Sequence, residues 1–282
     1  MLKRLDETDF EPINRAYNTV FRPNRLSIGL VVPLEAYATS PVPTMERHVA
    51  RVQTAEELGF SAIWLRDVPF NVPSFGDAGQ VFDPFVYLGL LAGQTARIGL
   101  GVASIILPLR HPAHVAKAAA SVDALSGGRL LLGIASGDRP EEYPAMALSH
   151  ADRGQRFRDS FAYIRQMGET EATFDNPYGR PGGGMDMLPK PASGKLPLLI
   201  TGISQQDPDW LAVNGDGWMT YPRRADQQAH IVADWRARTE THGQTAKPAM
   251  QSLYIDLVDD PDAPAHPIHL GFRSGVNFLL AY

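Results

Sequence analysis

The stretch 97–137, RIGLGVASIILPLRHPAHVAKAAASVDALSGGRLLLGIASG, constrains the fold more than any other part of the chain. Residues 98–107 are apolar and β-branched, the composition of a strand buried on both faces. His111-Pro112 breaks the run, and Pro112 suits the first position of a helix. Val115, Ala118, Ala119, Val122 and Leu125 then recur at helical spacing and give that helix an apolar stripe. Ser126-Gly127-Gly128 supplies the residue tolerant of left-handed backbone that ends a helix. Residues 130–134 form a second buried strand, which runs into the small residues Ala135, Ser136 and Gly137. Two parallel strands joined by a crossover helix make a βαβ unit. Small residues at its strand ends leave room for a flat ligand against the backbone.

The rest of the chain repeats the alternation. Strands are expected at 26–32, 61–65, 197–201, 217–221 and 250–258, and helices at 44–58, 85–96, 151–167, 209–213 and 225–241. Thr44 reads as the N-cap of the first of these helices, Gly59 as its stop, and His111 as a turn residue between strand and helix. Seven strands alternating with helices over 282 residues are the pattern of a (β/α)8 TIM barrel. Residues 1–25 read as an N-terminal arm or short helix outside the main fold, and 26–282 as one barrel domain. Residues 174–196, rich in Gly and Pro, read as a loop insertion after the fourth strand. The eighth strand is the weak point. Residues 275–282, GVNFLLAY, could supply it, but no helix of normal length precedes them, so the expectation is a chain that stops inside its last helix. A doubly wound sheet would want a phosphate-binding glycine turn after the first strand, where PLEAYATSP stands instead.

Composition narrows function by exclusion. The chain has no cysteine, which removes disulfides, thiolate catalysis and Cys-ligated zinc together. A net charge of −5 with interspersed signs points to neither nucleic acid nor a membrane surface. No apolar run approaches the roughly 18 residues of a transmembrane helix, and the N-terminus lacks a signal h-region, so the cytoplasm is the expected compartment. No GxGxxG opens a helix, and GxxxxGK[ST], HExxH and GxSxG are absent. The pairs His111/His114 and His266/His269 lack a carboxylate at ligand spacing, so no metal site is expected.

Three places carry polar residues where a barrel places its chemistry. Asp67 follows the second strand, where a carboxylate is either functional or a loop cap. Thr201, Gly202, Ser204 and Gln205 follow the fifth strand, where backbone N–H groups bind phosphate or simply turn the chain. Arg153, Arg156 and Arg158 share one helix, either as a solvated face or with one arginine reaching the barrel mouth.

Four stretches carry a resemblance to a known family. They are AEELGFSAIWLRD (55–67), the run LPLRHPAHVAKAAASVDALSGGRLLLGIASG (107–137), Glu141, Glu142 and Tyr143 with Arg153, and LPLLITGISQQDPDWLAVNGDGWMTYPR (196–223). In these the chain resembles the bacterial luciferase-like flavin monooxygenases and their deazaflavin-dependent relatives, across most of residues 26–258. The most specific part is LPxxHP…LSGGRLxLGxxxG. The resemblance implies a (β/α)8 barrel with reduced flavin across the C-terminal ends of its strands. It implies a non-proline cis peptide at Ala103–Ser104 behind the flavin ring, and Ser136 and Gly137 beside the flavin tail. It makes Thr201, Gly202, Ser204 and Gln205 the phosphate loop and gives Arg153 a reach to the phosphate. One departure stands out. Many relatives carry Asp-His or His-His after strand two, whereas this chain has Asp67-Val68, leaving Asp67 as the catalytic acid/base candidate there.

The function so implied is a flavin-dependent oxidoreductase, a monooxygenase using reduced FMN and dioxygen on a small organic substrate. A separate NAD(P)H:flavin reductase would supply the cofactor, and the expected assembly is a homodimer. Loops 68–82 and 174–196 would shape the pocket and its lid. The alternatives are hydride transfer with coenzyme F420, which Arg66, Arg139 and Arg223 keep open, and a non-catalytic flavin-binding barrel.

Overall fold

A computed structural model describes residues 10–35, 40–75, 78–255 and 276–281, with 254, 255 and 276–281 described as backbone only. Eight strands close into a barrel in sequence order: β1 (Ser27–Val31), β2 (Ala62–Leu65), β3 (Gly99–Ile106), β4 (Leu130–Ala135), β5 (Leu198–Thr201), β6 (Gly217–Thr220), β7 (Ala249–Ile255) and β8 (Val276–Ala281). From β1 to β7 every neighbouring pair is parallel. β8 pairs antiparallel with both β7 and β1. The expectation of a missing closing strand is therefore corrected, since residues 276–281 close the ring. A parallel eighth strand would require the chain to cross the barrel's full height, whereas an antiparallel one only has to turn back. Residues 256–275, His266/His269 among them, lie outside the described residues.

The helices follow the periodicity. They are α1 (Arg15–Val20), α2 (His48–Glu57), α3 (Pro84–Gln94), α4 (Pro112–Ser126), α5 (Glu142–Ala145), α6 (Arg153–Met167), α7 (Pro208–Asn214) and α8 (Ala225–Thr241). In α4, His111 is the N-cap, its Nδ1 accepting the Ala113 N–H at 3.2 Å, and Gly127 ends the helix in left-handed conformation. Asp83 caps α3 in the same way, accepting from Phe85 and Val86. α2 starts four residues later than its expected cap at Thr44. The Glu35 carboxylate takes the N–H groups of Thr44 and Met45, and Arg47 is left-handed at φ 53°, so 44–47 is a turn tied to the preceding loop. Between α6 and β5 no helix or strand forms beyond one bridge, Asn176 to Gly179.

The barrel interior explains glycines that resemble no nucleotide fingerprint. Trp64 of β2 lies inward, fully buried, with Leu131, Leu199, Met219 and Met250. A Cβ on Gly101 would stand 2.2 Å from the Trp64 ring, and one on Gly29 would stand 2.5 Å from its Nε1. The glycines on either side of β2 thus make the space that the indole fills. α1 seals the bottom of this cluster with Ala16, Tyr17 and Val20. The Tyr17 hydroxyl donates to the Asp216 carbonyl at 2.7 Å, and Asn14 Nδ2 donates to the Leu130 carbonyl at 2.8 Å. The lower end is closed, so access is from the ends where the parallel strands finish.

Candidate functional site at the strand ends

The sequence-predicted residues divide into two groups around that end. The first lies over β3, β5 and β6. The Ala103–Ser104 peptide is cis, at a register shift between Val102 and Ile105 in the β3–β4 ladder. The Ser104 hydroxyl is hydrogen-bonded to the Thr201 hydroxyl, and Thr201 Oγ1 lies 3.2 Å from the Met219 sulfur. Ala103 and Ser104 are both half-buried. One small, polar-lined floor therefore joins three strands.

From Thr201 the chain turns sharply. Gly202 (φ 57°), Ser204 (φ 46°) and Gln205 (φ 60°) are all left-handed. Non-glycine residues rarely adopt this conformation, and turns containing it present backbone N–H groups as anion-binding concavities. The Ser204 hydroxyl donates to the Thr201 carbonyl at 2.8 Å, and the Gln206 N–H donates to the Ile203 carbonyl at 2.8 Å. Trp218 Nε1 holds the Gly202 carbonyl at 2.8 Å. The start of α6 packs on this turn: a Cβ on Gly154 would come 2.9 Å from the Gln205 Cβ. Gln206 Nε2 donates to the Gly154 carbonyl at 2.8 Å, and Arg158 Nε donates to Gln206 Oε1 at 2.9 Å. Arg153 precedes Gly154 at the start of this helix, and its side chain runs toward His150. It is half-buried, its Nη1 donates to the His150 carbonyl at 2.9 Å, and its Nε is buried without a partner. A cleft of about 580 Å³ continues outward from Gln205 between Arg156, Arg158 and Tyr178.

The second group lies over β2, β3 and β4. Asp67 is buried and fully engaged: Oδ2 accepts the Ile106 N–H at 3.1 Å and Arg110 Nε at 3.0 Å, and Oδ1 accepts Arg110 Nη2 at 2.7 Å. Arg110 continues to Asp83 at 2.9 Å. After β4, Gly137 is left-handed at φ 77°, and a Cβ there would stand 2.7 Å from Ile106 Cγ2 and 2.9 Å from the Tyr143 hydroxyl. Only glycine fits. The Tyr143 hydroxyl donates to the Ser136 carbonyl, fixing the strand end on which both predicted residues sit.

Sequence reasoning assigned no role to Glu142. Its side chain is fully buried, and neither carboxyl oxygen has a hydrogen-bond partner. Burial first of all, with the charges of Asp67, Asp138 and Glu141, pushes its pKa up to about 7 against the pull of Arg139. Its neighbours are held from the segment 73–75, with Phe75 under the Arg139 guanidinium at 4.5 Å and Ser74 donating to Glu141 at 3.4 Å. Burial distinguishes Glu142 from Glu141, and no sequence pattern reports it. Among the described residues no group of histidines and carboxylates could hold a metal. No helix among them is long and apolar enough to cross a membrane.

A closed barrel with small residues and a left-handed turn at its strand ends is an α/β barrel of the architecture that hosts many enzyme chemistries. The sequence pattern of the luciferase-like monooxygenase family matches residues 26–271, and the chain belongs to that family. An uncharacterized protein of Mycobacterium bovis is 29% identical over 242 residues, covering 79% of this chain and 83% of that protein. The F420-dependent hydroxymycolic acid dehydrogenase of Mycobacterium tuberculosis is 29% identical over 248 residues, covering 86% of this chain and 66% of its own. Among solved structures, the oxygenating constituent of 3,6-diketocamphane monooxygenase from Pseudomonas putida, in complex with FMN, superposes with a TM-score of 0.65. That match is 17% identical and covers 79% of this chain and 64% of that one, so it speaks for the fold alone.

Proposed function

We propose that this protein is an oxidoreductase that binds reduced FMN at the strand ends and oxygenates a small organic substrate with dioxygen. The observation that carries this reading is the meeting of α6 with the left-handed turn after β5. Gly154 packs on Gln205 there, and Arg153, the residue before Gly154, keeps a buried Nε without a partner. A phosphate would supply what that place lacks, because backbone N–H groups and a guanidinium both favour a dianion. Thr201, Gly202, Ser204, Gln205 and Arg153 would hold the phosphate, Ser136 and Gly137 the tail, and Ala103 and Ser104 the ring. When bound, reduced FMN supplies the electron pair that lets one oxygen atom reach the substrate and the other leave as water. The protein's own share is to orient and to exclude water. Asp67, with three donors on its two oxygens, serves as the anchor that holds Arg110 and the end of β3, not as the acid/base expected of it. A separate NAD(P)H:flavin reductase as electron source, a homodimer and a cytoplasmic location complete the reading.

Hydride transfer with coenzyme F420 is the second reading, favoured by the mycobacterial dehydrogenase among the relatives. Of the arginines that could meet its acidic tail, Arg139 stacks on Phe75 and Arg223 donates to Thr220 and Tyr221, while Arg156 and Arg158 line the cleft beside Gln205. A non-catalytic flavin-binding barrel is the third.

Titration with FMN, reduced FMN and F420 tests these readings, using Ser204→Asp and Ser204→Gly. Reduced FMN is expected to bind the native protein and Ser204→Gly, which tolerates φ 46°. Ser204→Asp should lose at least about tenfold in affinity, since it sets a carboxylate against the phosphate. Preference for F420 would move the reaction to hydride transfer. Binding of neither would overturn the flavin reading.

A further inference from the structure

Buried polar groups in folded proteins are almost always hydrogen-bonded, so a carboxyl group with two orphaned oxygens calls for a physical account. Glu142 is that case: its side chain is fully buried and neither oxygen has a partner. Its nearest cation, Arg139 Nη1, stands 3.9 Å from Oε1, beyond hydrogen-bonding distance. Three anions oppose its ionisation, Asp138 and Glu141 from its own segment and Asp67 from the end of β2, the last of which carries Arg110 as its counter-charge, while Arg153 and Arg156 act on the adjacent Tyr143. Asp67 is already committed to Arg110 and the Ile106 N–H, so it offers Glu142 no donor. Helix α5 spans only four residues, and Glu142 lies in its first turn. The residues on either side of it are held from the segment 73–75, Arg139 by Phe75 and Glu141 by Ser74. Burial and three anions raise the cost of ionising a carboxylate that receives no hydrogen bond, against the pull of Arg139 at 3.9 Å, and the balance favours the neutral acid toward neutral pH.

We propose that Glu142 is the proton-holding residue of the barrel mouth, neutral when an anionic cofactor or substrate enters and repelling it once ionised. The proposal rests on the reading of the strand ends as the cofactor site. Its proton sits on an Oε oxygen, is lost to water as the pH rises and is regained from water as it falls. Burial places this exchange near pH 7, where a small change of conditions alters the charge of the mouth. Glu142 acts here as a positioning residue, because its influence runs through charge and not through contact with reacting atoms.

Two measurements on the full chain test it. In protein labelled with ¹³C at glutamate carboxyl groups, one carboxyl should titrate in the neutral range, and that signal should vanish in E142Q. The dissociation constant for reduced FMN, measured against pH, should rise above the midpoint by up to about tenfold per pH unit relative to E142Q, the limit for one linked proton. Using E142Q as the reference removes the titrations of the flavin and its phosphate, which both proteins share. A carboxyl that titrates in the ordinary glutamate range, or binding profiles that run parallel in the two proteins, overturns the proposal. If E142Q does not fold, the native titration still decides: no neutral-range carboxyl means no proton-holding residue. Failure of both proteins to bind reduced FMN or F420 would instead overturn the flavin reading, and the carboxyl titration then decides Glu142 by itself.

Discussion

Asp67 and Glu142 are both buried carboxyl groups, close enough to feel each other's charge, yet they are built in opposite ways. Asp67 receives three donors, two from the Arg110 fork and one from the Ile106 backbone. Glu142 receives none. The Asp67 pair ties the end of β2 to the end of β3 and, through Asp83, to the cap of α3. The Glu142 carboxyl has only a long 3.9 Å ion pair to Arg139 of its own segment and ties no two strands together. The contrast teaches that the type and burial of an acid say little until its donors are counted. Saturation makes a strut, while orphaning makes a group that can change charge.

The largest expected effect comes from breaking the strut. Arg110→Ala leaves the Asp67 carboxylate buried with one backbone donor and should cost roughly 3–5 kcal/mol in stability, read from urea unfolding. A loss under about 1 kcal/mol would mean that the pair behaves as an exposed bridge. The opposite outcome is expected at the other carboxyl. Glu142 has a folded-state pKa raised to about 7 from an ordinary value near 4.3. Its favourable contribution is therefore complete below the unfolded pKa and is lost as the pH climbs through about 7. E142Q should match the native protein near pH 5 and exceed it at pH 8 by on the order of 1–3 kcal/mol. Unfolding curves at the two pH values check this, and equal differences at both would remove the contrast with Asp67. The smallest effect concerns the cover. Phe75→Ala removes the face on which Arg139 rests and should cost about 0.5–1 kcal/mol, given the partial exposure of that ring.

Legibility in the sequence followed the physics of each element. The 97–137 unit was readable because its signals are local: the break at His111, Pro112 at the start, Gly127 at the end, β-branched runs on both sides. Thr44 misled because its N–H belongs to Glu35, nine positions earlier, and a helix start is lost when a distant carboxylate claims the cap. The strand 276–281 was undervalued because closing a ring is a property of β1 and β7 as much as of β8. At the site, the small residues Ala103, Ser104, Ser136, Gly137 and the turn 201–205 could be marked in advance, since small size and chain reversal are local properties. The meeting of that turn with α6 could not be read from spacing, because the two are separated by about fifty residues and are joined through Gly154 on Gln205 and through Gln206 with Gly154 and Arg158.

What the sequence determined by itself is the alternating barrel and the set of strand ends that carry its small and polar residues. Hydrophobic period, caps and glycine stops are written residue by residue and act over a turn or two. What only the tertiary structure decided is the electrical character of those residues. Two acids three-quarters of a hundred positions apart converge on one mouth, and their fates depend on Arg110, Ile106 and Arg139 arriving or failing to arrive within hydrogen-bond distance. Hydrogen bonding and desolvation act over a few ångströms of space, whatever the separation along the chain, so a charge becomes a strut or a switch only once the barrel has closed around it.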